Sequence, residues 1–196
     1  ENSFDSRTSG LDFVANYTNI ELGTGKLAFN LSGNVTIQNE RISPVKSNNF
    51  SPTLDALMFT SRPDTKWILG ANYEIGKFGF SLNNTYFGKT TFKQDGLDSN
   101  LRTEFTPKIV TDLGVSFSAT EKLTFALNVN NLLNVLPEWK FKAENATGAA
   151  LLADAAQVKN QSNLITFNQR YSQMTYDGFH FSQLGTMFNL SMNYKF

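Results

Sequence analysis

The chain has 196 residues with 17 basic and 17 acidic side chains, so no net charge draws it to nucleic acid or to an acidic partner. It has no cysteine, which excludes disulfides, iron–sulfur clusters and thiolate zinc, while charged residues reach only 17% and 18 residues are phenylalanine. No run of about 18 apolar residues occurs, which excludes a transmembrane helix.

The opening "ENSFDSRTSG" has no methionine and no signal-peptide pattern, and it reads as a processed or cut N-terminus. Alternation then begins. In "LDFVANYT" the residues Leu11, Phe13, Ala15 and Tyr17 alternate with Asp12, Asn16 and Thr18. "LAFNLSGNVTIQ" sets Leu27, Phe29, Leu31, Val35 and Ile37 against Asn30, Ser32, Asn34, Thr36 and Gln38. "KWILGANYEI" sets Trp67, Leu69, Ala71, Tyr73 and Ile75 against Gly70, Asn72 and Glu74. "FGFSLNNTYF" gives Phe78, Phe80, Leu82 and Tyr86 against Gly79, Ser81, Asn83 and Thr85, with Asn84 breaking the apolar row.

Three more stretches follow the same rule. "IVTDLGVSFSA" gives Ile109, Leu113, Val115 and Phe117; "LTFALNVNN" gives Leu123, Phe125, Leu127 and Val129. The last is "HFSQLGTMFNLSMNYKF", where Leu184, Phe188, Leu190, Met192, Tyr194 and Phe196 share one side and only Thr186 interrupts them. Alternate side chains of a strand point to opposite faces. The spacing therefore predicts seven two-faced strands of about 8–13 residues, the length a tilted strand needs to cross a bilayer. The last is expected to run to the final residue.

Connections alternate in length. Short turns fall at 23–26, 76–77 and 120–122, and long loops at 39–65, 88–106 and 132–181. Antiparallel neighbours put all short turns at one end of the sheet and all long loops at the other, the layout of an outer-membrane barrel. The alanine-rich "ATGAALLADAAQVKNQ" predicts a short helix in the longest loop.

The polar face separates a membrane barrel from a soluble sheet. It is built of Asn, Ser, Thr and Gly, with only Asp12, Glu74, Asp112 and Lys195 charged well inside the strands. A face turned to open water normally carries Lys, Glu and Arg. Aromatics gather near strand ends: Tyr17, Tyr73, Phe78, Phe117 and Tyr194 by the turns, Trp67 and Tyr86 by the loops. Two such bands suit the two headgroup levels. The expected fold is all-β, an antiparallel transmembrane β-barrel with short periplasmic turns and long extracellular loops. Backbone in lipid must be paired, so the sheet must close, with the last strand pairing the first. Seven is odd where single-chain barrels are even; either an eighth strand hides in the long loop or at the N-terminus, or the strands belong to a larger barrel.

Two stretches resemble a family. "LTFALNVNNLLNV" (123–135), with Asn130, Asn131 and Leu132 at its end, resembles the penultimate strand of TonB-dependent outer-membrane receptors. "FSQLGTMFNLSMNYKF" is similar to the closing strand of such receptors, especially the Bacteroidetes type, and its Leu190, Met192, Tyr194 and Phe196 match the signature read by barrel-assembly machinery. The resemblance implies that residues 1–196 are one segment, the last part of a 22-stranded barrel whose plug domain and earlier strands are absent. It implies a non-enzymatic role in the outer membrane of a Gram-negative bacterium: importing a bulky nutrient, a siderophore or glycan, into the periplasm. The implied partners are outer-membrane lipid, the assembly machinery, TonB and the plug, and in glycan-importing members a surface lipoprotein; no nucleic acid and no cofactor are expected.

Loop aromatics Trp139, Phe141, Tyr171, Tyr176, Phe179 and Phe181 are candidate substrate contacts, because exposed rings bind well; packing among loops is the alternative role. Two other readings stay open: a complete eight-stranded barrel acting as pore or adhesin, and a soluble all-β binding module. The single histidine, His180, lies near Asp177 and Ser182 in "YDGFHFSQ", which also reads as a turn and strand start. "DGLDSN" (95–100) lacks the later glutamate of a calcium loop, so no metal or catalytic residue is expected.

Overall fold

The computed structural model describes residues 4–44, 50–93, 96–167, 181–182 and 184–196. In chain order the elements are β1 (Ser6–Leu22), β2 (Gly25–Arg41), α1 (Pro52–Phe59), β3 (Thr65–Ile75), β4 (Phe78–Phe87), β5 (Thr90–Phe92), β6 (Leu101–Phe105), β7 (Lys108–Ser118), β8 (Leu123–Asn130), β9 (Trp139–Ala143), α2 (Ala146–Ala153), α3 (Ala155–Phe167) and β10 (Met187–Tyr194). Seven strands make one antiparallel sheet in the order β1-β2-β3-β4-β7-β8-β10. These are the seven that alternation predicts. No helix among the described residues is long and apolar enough to cross a membrane, which says nothing about strands.

The sheet is open. β1 and β10 are its edges and do not pair with each other, so the closure expected from the sequence is not present, and the described residues supply no eighth strand to this sheet. β1 and β2 are longer than expected, at 17 residues each. Their pairing of Ser6–Ser9 with Gln38–Arg41 runs past Val35, where β3 begins opposite Thr65. The hairpin thus projects beyond its neighbours on the long-loop side.

Register puts like with like across the sheet. Tyr17, Phe29, Ala71, Leu82, Leu113, Val129 and Phe188 form one continuous row through all seven strands. On the opposite face Ala28, Asn72, Ser81, Gly114, Asn128 and Asn189 form another. Shifting one strand by one residue would exchange the two faces, so a greasy row this long defines register strongly. On the polar face glycine makes room for amides: a Cβ on Gly70 would run into the side chains of Asn30 and Asn83. Two polar residues interrupt the apolar face, Asn84 and Thr111. They lie opposite each other, and the Thr111 hydroxyl donates to Asn84 Oδ1 at 2.8 Å.

Among the described residues the apolar face is mostly open, although Val129 and Thr111 within it are buried. Leu11, Leu69, Leu82 and Leu190 are 67%, 50%, 40% and 77% exposed. Both clusters of buried hydrophobic residues lie instead in the long loops.

The "NNLLNV" run ties β10 to β8. Asn131 and Asn134 adopt left-handed backbone (φ 54° and 51°), which Asn tolerates better than other chiral residues. The Asn131 backbone N–H donates to Asp112 Oδ1 at 2.7 Å, and its carbonyl accepts from the Thr186 hydroxyl at 2.7 Å. Thr186 N–H donates to Asn134 Oδ1. The last strand is shorter than expected at its start: Gly185, at φ 73°, turns the chain, so Leu184 lies before the strand and not in its row. At the other end the ladder continues one step, with Lys195 N–H on Lys122 carbonyl at 2.8 Å.

Candidate functional site

The described parts of the three long connections fold together into a layer at one end of the sheet. Its centre is a second antiparallel sheet, β5-β6-β9, which the sequence did not announce. β6 alternates as a short strand should: Leu101, Thr103 and Phe105 are buried while Arg102 and Glu104 face the other way. Phe105 and Phe92 pack on Ala56 of α1, and Leu101 packs with Leu97 under Phe141, Leu151 and Leu152. α1 starts where Ser51 Oγ accepts from the Leu54 N–H, with Pro52 in the first turn. The alanine-rich run forms two helices, α2 and α3, where one was expected. Asp154, in extended conformation, separates them and accepts from Ala156 N–H.

Trp139 joins the two clusters and meets Phe141 edge-on at 5.3 Å between ring centres. Both are candidate ligand contacts, and in the structure each is half-buried and packs on the loop clusters. Phe181 is buried and lies 5.3 Å from the Phe87 ring. Tyr171, Tyr176 and Phe179 lie outside the described residues, as does His180 with Asp177. Leu190, Met192, Tyr194 and Phe196 share the exposed apolar face, opposite Leu127, Phe125 and Leu123 for the first three.

Charge in the layer is organised around two carboxylates that no motif in the chain singles out. Glu104 receives Lys140 at 3.3 Å, Lys142 at 3.5 Å and Lys89 at 3.9 Å. Glu144 pairs with Arg102 and with Lys93 at 3.4 Å. For each carboxyl, burial alone pushes the pKa up. The hydrogen bond and charge of Lys140 on Glu104, and of Arg102 on Glu144, outweigh it and hold both below the ordinary range. The Lys93 ammonium, almost wholly buried, also donates to the carbonyls of Ser99 and Leu101, tying the end of β5 to the start of β6. Asp98 in "DGLDSN" spends its carboxylate on the Asn100 backbone and side-chain N–H, which lowers its pKa; it serves a turn. No cluster of three metal-ligating side chains occurs among the described residues.

Among the hollows of the described residues, two lie where the layer meets the polar face and the upper part of β2. One, about 350 Å³, sits on the polar face at its loop end, between Lys66, Asp112 and Asn130 below and Phe181 and Ser182 above. Asp112 there is occupied by Asn131, and the Lys66 ammonium lies 5.0 Å from the Phe87 ring centre. The other, about 300 Å³, lies between the upper part of β2, the end of α1 and β5. Aromatics mark both levels of the main sheet. Phe78 meets Phe117 at 4.9 Å and Tyr194 meets Phe196 at 5.2 Å near the turns, while Trp67 folds over Gly33 and lies 6.2 Å from Phe13 near the loops. Compared with known proteins, the chain matches no family model, no curated protein and no solved structure.

Proposed function

We propose that the seven-stranded sheet is a wall of an outer-membrane β-barrel and that the loop layer is part of its extracellular mouth, in an importer of the TonB-dependent type. The observation that carries this reading is the naked apolar face. A soluble two-layer domain buries such a face against a second layer. Here both hydrophobic clusters among the described residues sit in the loops, and most of the sheet's apolar face is exposed, Leu11, Leu69, Leu82 and Leu190 with it, Val129 being buried. Exposed apolar patches on soluble monomers rarely exceed a few hundred Å². Hydrocarbon tails are the occupant that fits, because the face is bounded by aromatics at both ends and backed by uncharged Asn, Ser and Gly.

The open edges favour a larger barrel over a small complete one. In lipid, the outer edges of β1 and β10 need partners, which further strands of a parent protein supply. Leu190, Met192, Tyr194 and Phe196 then face lipid on a strand whose outer edge is available to assembly machinery. The import role, with TonB and a plug, rests on the resemblance of residues 123–135 and 181–196. Wall and loops are this segment's contribution to it.

This chain contributes no cysteine, so in a parent whose other cysteines, if any, are replaced, single cysteines report their surroundings without background. In outer-membrane vesicles holding the full-length parent, Leu82→Cys, Leu113→Cys and Leu127→Cys should resist a water-soluble maleimide and respond to a lipid-dissolved quencher. Asn83→Cys, Ser116→Cys and Asn128→Cys should show the reverse. Rapid aqueous labelling of the leucine row, or recovery of the protein in buffer without detergent, would end the membrane reading.

A further inference from the structure

We infer that Lys89, Lys140 and Lys142, gathered round Glu104 on the loop sheet, form a binding site for a phosphomonoester. The site is separate from any import role and stands whether or not the parent imports. Register puts its members together. Glu104 pairs with Thr91 on one side and Lys140 on the other, and Arg102 pairs with Lys142. Residues paired across antiparallel strands share a face, so these five project away from the side on which Phe92 and Phe105 pack. Lys89, just before β5, joins them. Its ammonium lies 3.9 Å from Glu104 Oε2, which Lys142 also approaches at 3.5 Å, while Lys140 takes Oε1 at 3.3 Å.

The charges here do not balance. Among the described residues Glu104 is the only carboxylate that pairs with these three lysines, so three ammoniums against one carboxylate leave two positive charges over, in a chain of zero net charge. Crowded like charges repel unless a counter-ion answers them. The Glu104 side chain is 13% exposed, whereas those of Lys89, Lys140 and Lys142 are 53%, 65% and 49% exposed, so the carboxylate lies beneath and the donors face outward. Each ammonium has three N–H donors, more than Glu104 can use. Thr91 adds a hydroxyl with no hydrogen-bond partner among the described residues, and with Lys89 it lines the hollow of about 300 Å³, so the cluster borders a concavity. A phosphomonoester is the complement, with about −1.5 to −2 charge at neutral pH and three acceptor oxygens. A carboxylate or a phosphodiester carries a single charge and leaves half the surplus unanswered. Two sources supply the group: a soluble phosphorylated ligand, or a lipid headgroup, since Lys89 follows Tyr86 of the loop-side aromatic band by three residues.

The test uses the full-length parent in detergent micelles and two probes followed by ³¹P line broadening. One is inorganic phosphate; the other is phosphatidic acid, whose headgroup is a phosphomonoester, mixed into the micelles and compared with phosphatidylcholine. The expected result is binding of at least one probe, with no response from phosphatidylcholine. Lys140→Gln with Lys142→Gln should weaken it about tenfold or more, the effect of removing two cations beside a phosphate. Lys140→Arg with Lys142→Arg keeps both charges and should keep binding, which separates lost charge from lost folding. Lys122→Gln with Lys159→Gln removes the same charge elsewhere and should change nothing. Binding of phosphatidic acid alone assigns the lipid source, and binding of inorganic phosphate as well assigns a soluble one; either supports the site. The inference is overturned if neither probe binds, if the glutamine pair binds like the parent, if the arginine pair binds no better than the glutamine pair, or if the distant pair loses as much.

Discussion

The side-chain amide of Asn131 and the backbone of Val135 exchange two hydrogen bonds, Nδ2 donating to the Val135 carbonyl at 2.7 Å and Oδ1 accepting from its N–H at 2.8 Å. Asn131 thereby does for the turn what a neighbouring strand would do. It is buried, its backbone is left-handed, and its carbonyl holds the Thr186 hydroxyl that leads into β10. Asn131→Ala should lower stability by about 2–3 kcal/mol, two hydrogen bonds at about 1 kcal/mol each plus backbone strain. Asn131→Gly keeps the backbone freedom and should cost less. Urea unfolding in lipid vesicles measures both, and equal losses would mean that strain plays no part.

A second prediction follows from the two faces. Leu82→Arg or Leu113→Arg places a guanidinium on the apolar row, which costs roughly 2–4 kcal/mol near a bilayer midplane. The same change at Asn83 or Ser116, on the amide-lined face, should be mild. Folding yield into vesicles distinguishes them; equal sensitivity of both faces would contradict the assignment of lipid to the leucine row.

The Asn84–Thr111 pair is the third. Each group is the other's partner on an otherwise apolar face. Removing one alone, by Asn84→Leu or Thr111→Val, strands a polar group and should cost about 1–3 kcal/mol. The double variant should recover most of that loss, and a positive interaction energy in the double-mutant cycle is the readout.

Acid should loosen the loop layer before the sheet. Glu104 and Glu144 have folded pKa values below the model-peptide value of 4.5, so the folded state favours their ionised forms. Their contribution is complete above about 4.5 and is lost as pH falls through the lower folded values. With Trp67→Phe removing the other indole, Trp139 fluorescence should report a transition below that pH while main-sheet circular dichroism persists. Lys140→Gln with Lys142→Gln should shrink the dependence, because Glu104 then loses its hydrogen bond and two of its cations.

Fold and site were legible to different degrees. Period-two alternation marked all seven strands of the main sheet, since a strand with two unlike faces must write that difference into every second residue. Short turns were legible through Gly23 and Gly76, both with positive φ. β5, β6 and β9 were not, because strands of three and five residues carry too few alternations. Their pairing of Thr103 with both Phe92 and Phe141 also joins segments far apart in the chain. The packing of Trp139 and Phe141 on the loop clusters was illegible for the same reason: a ring in a loop reads as exposed until its neighbours are known.

Thus the residues in order determined by themselves which side chains share a face, and hence that this sheet has one greasy and one amide-lined surface. Tertiary structure alone decided that, among the described residues, the greasy surface stays mostly uncovered, that the edges stay apart, and that Glu104, Lys140 and Lys89 meet. Facing is a local property, repeated every two residues along one chain. Coverage, closure and charge pairing depend on where distant segments come to rest, and no short stretch encodes that.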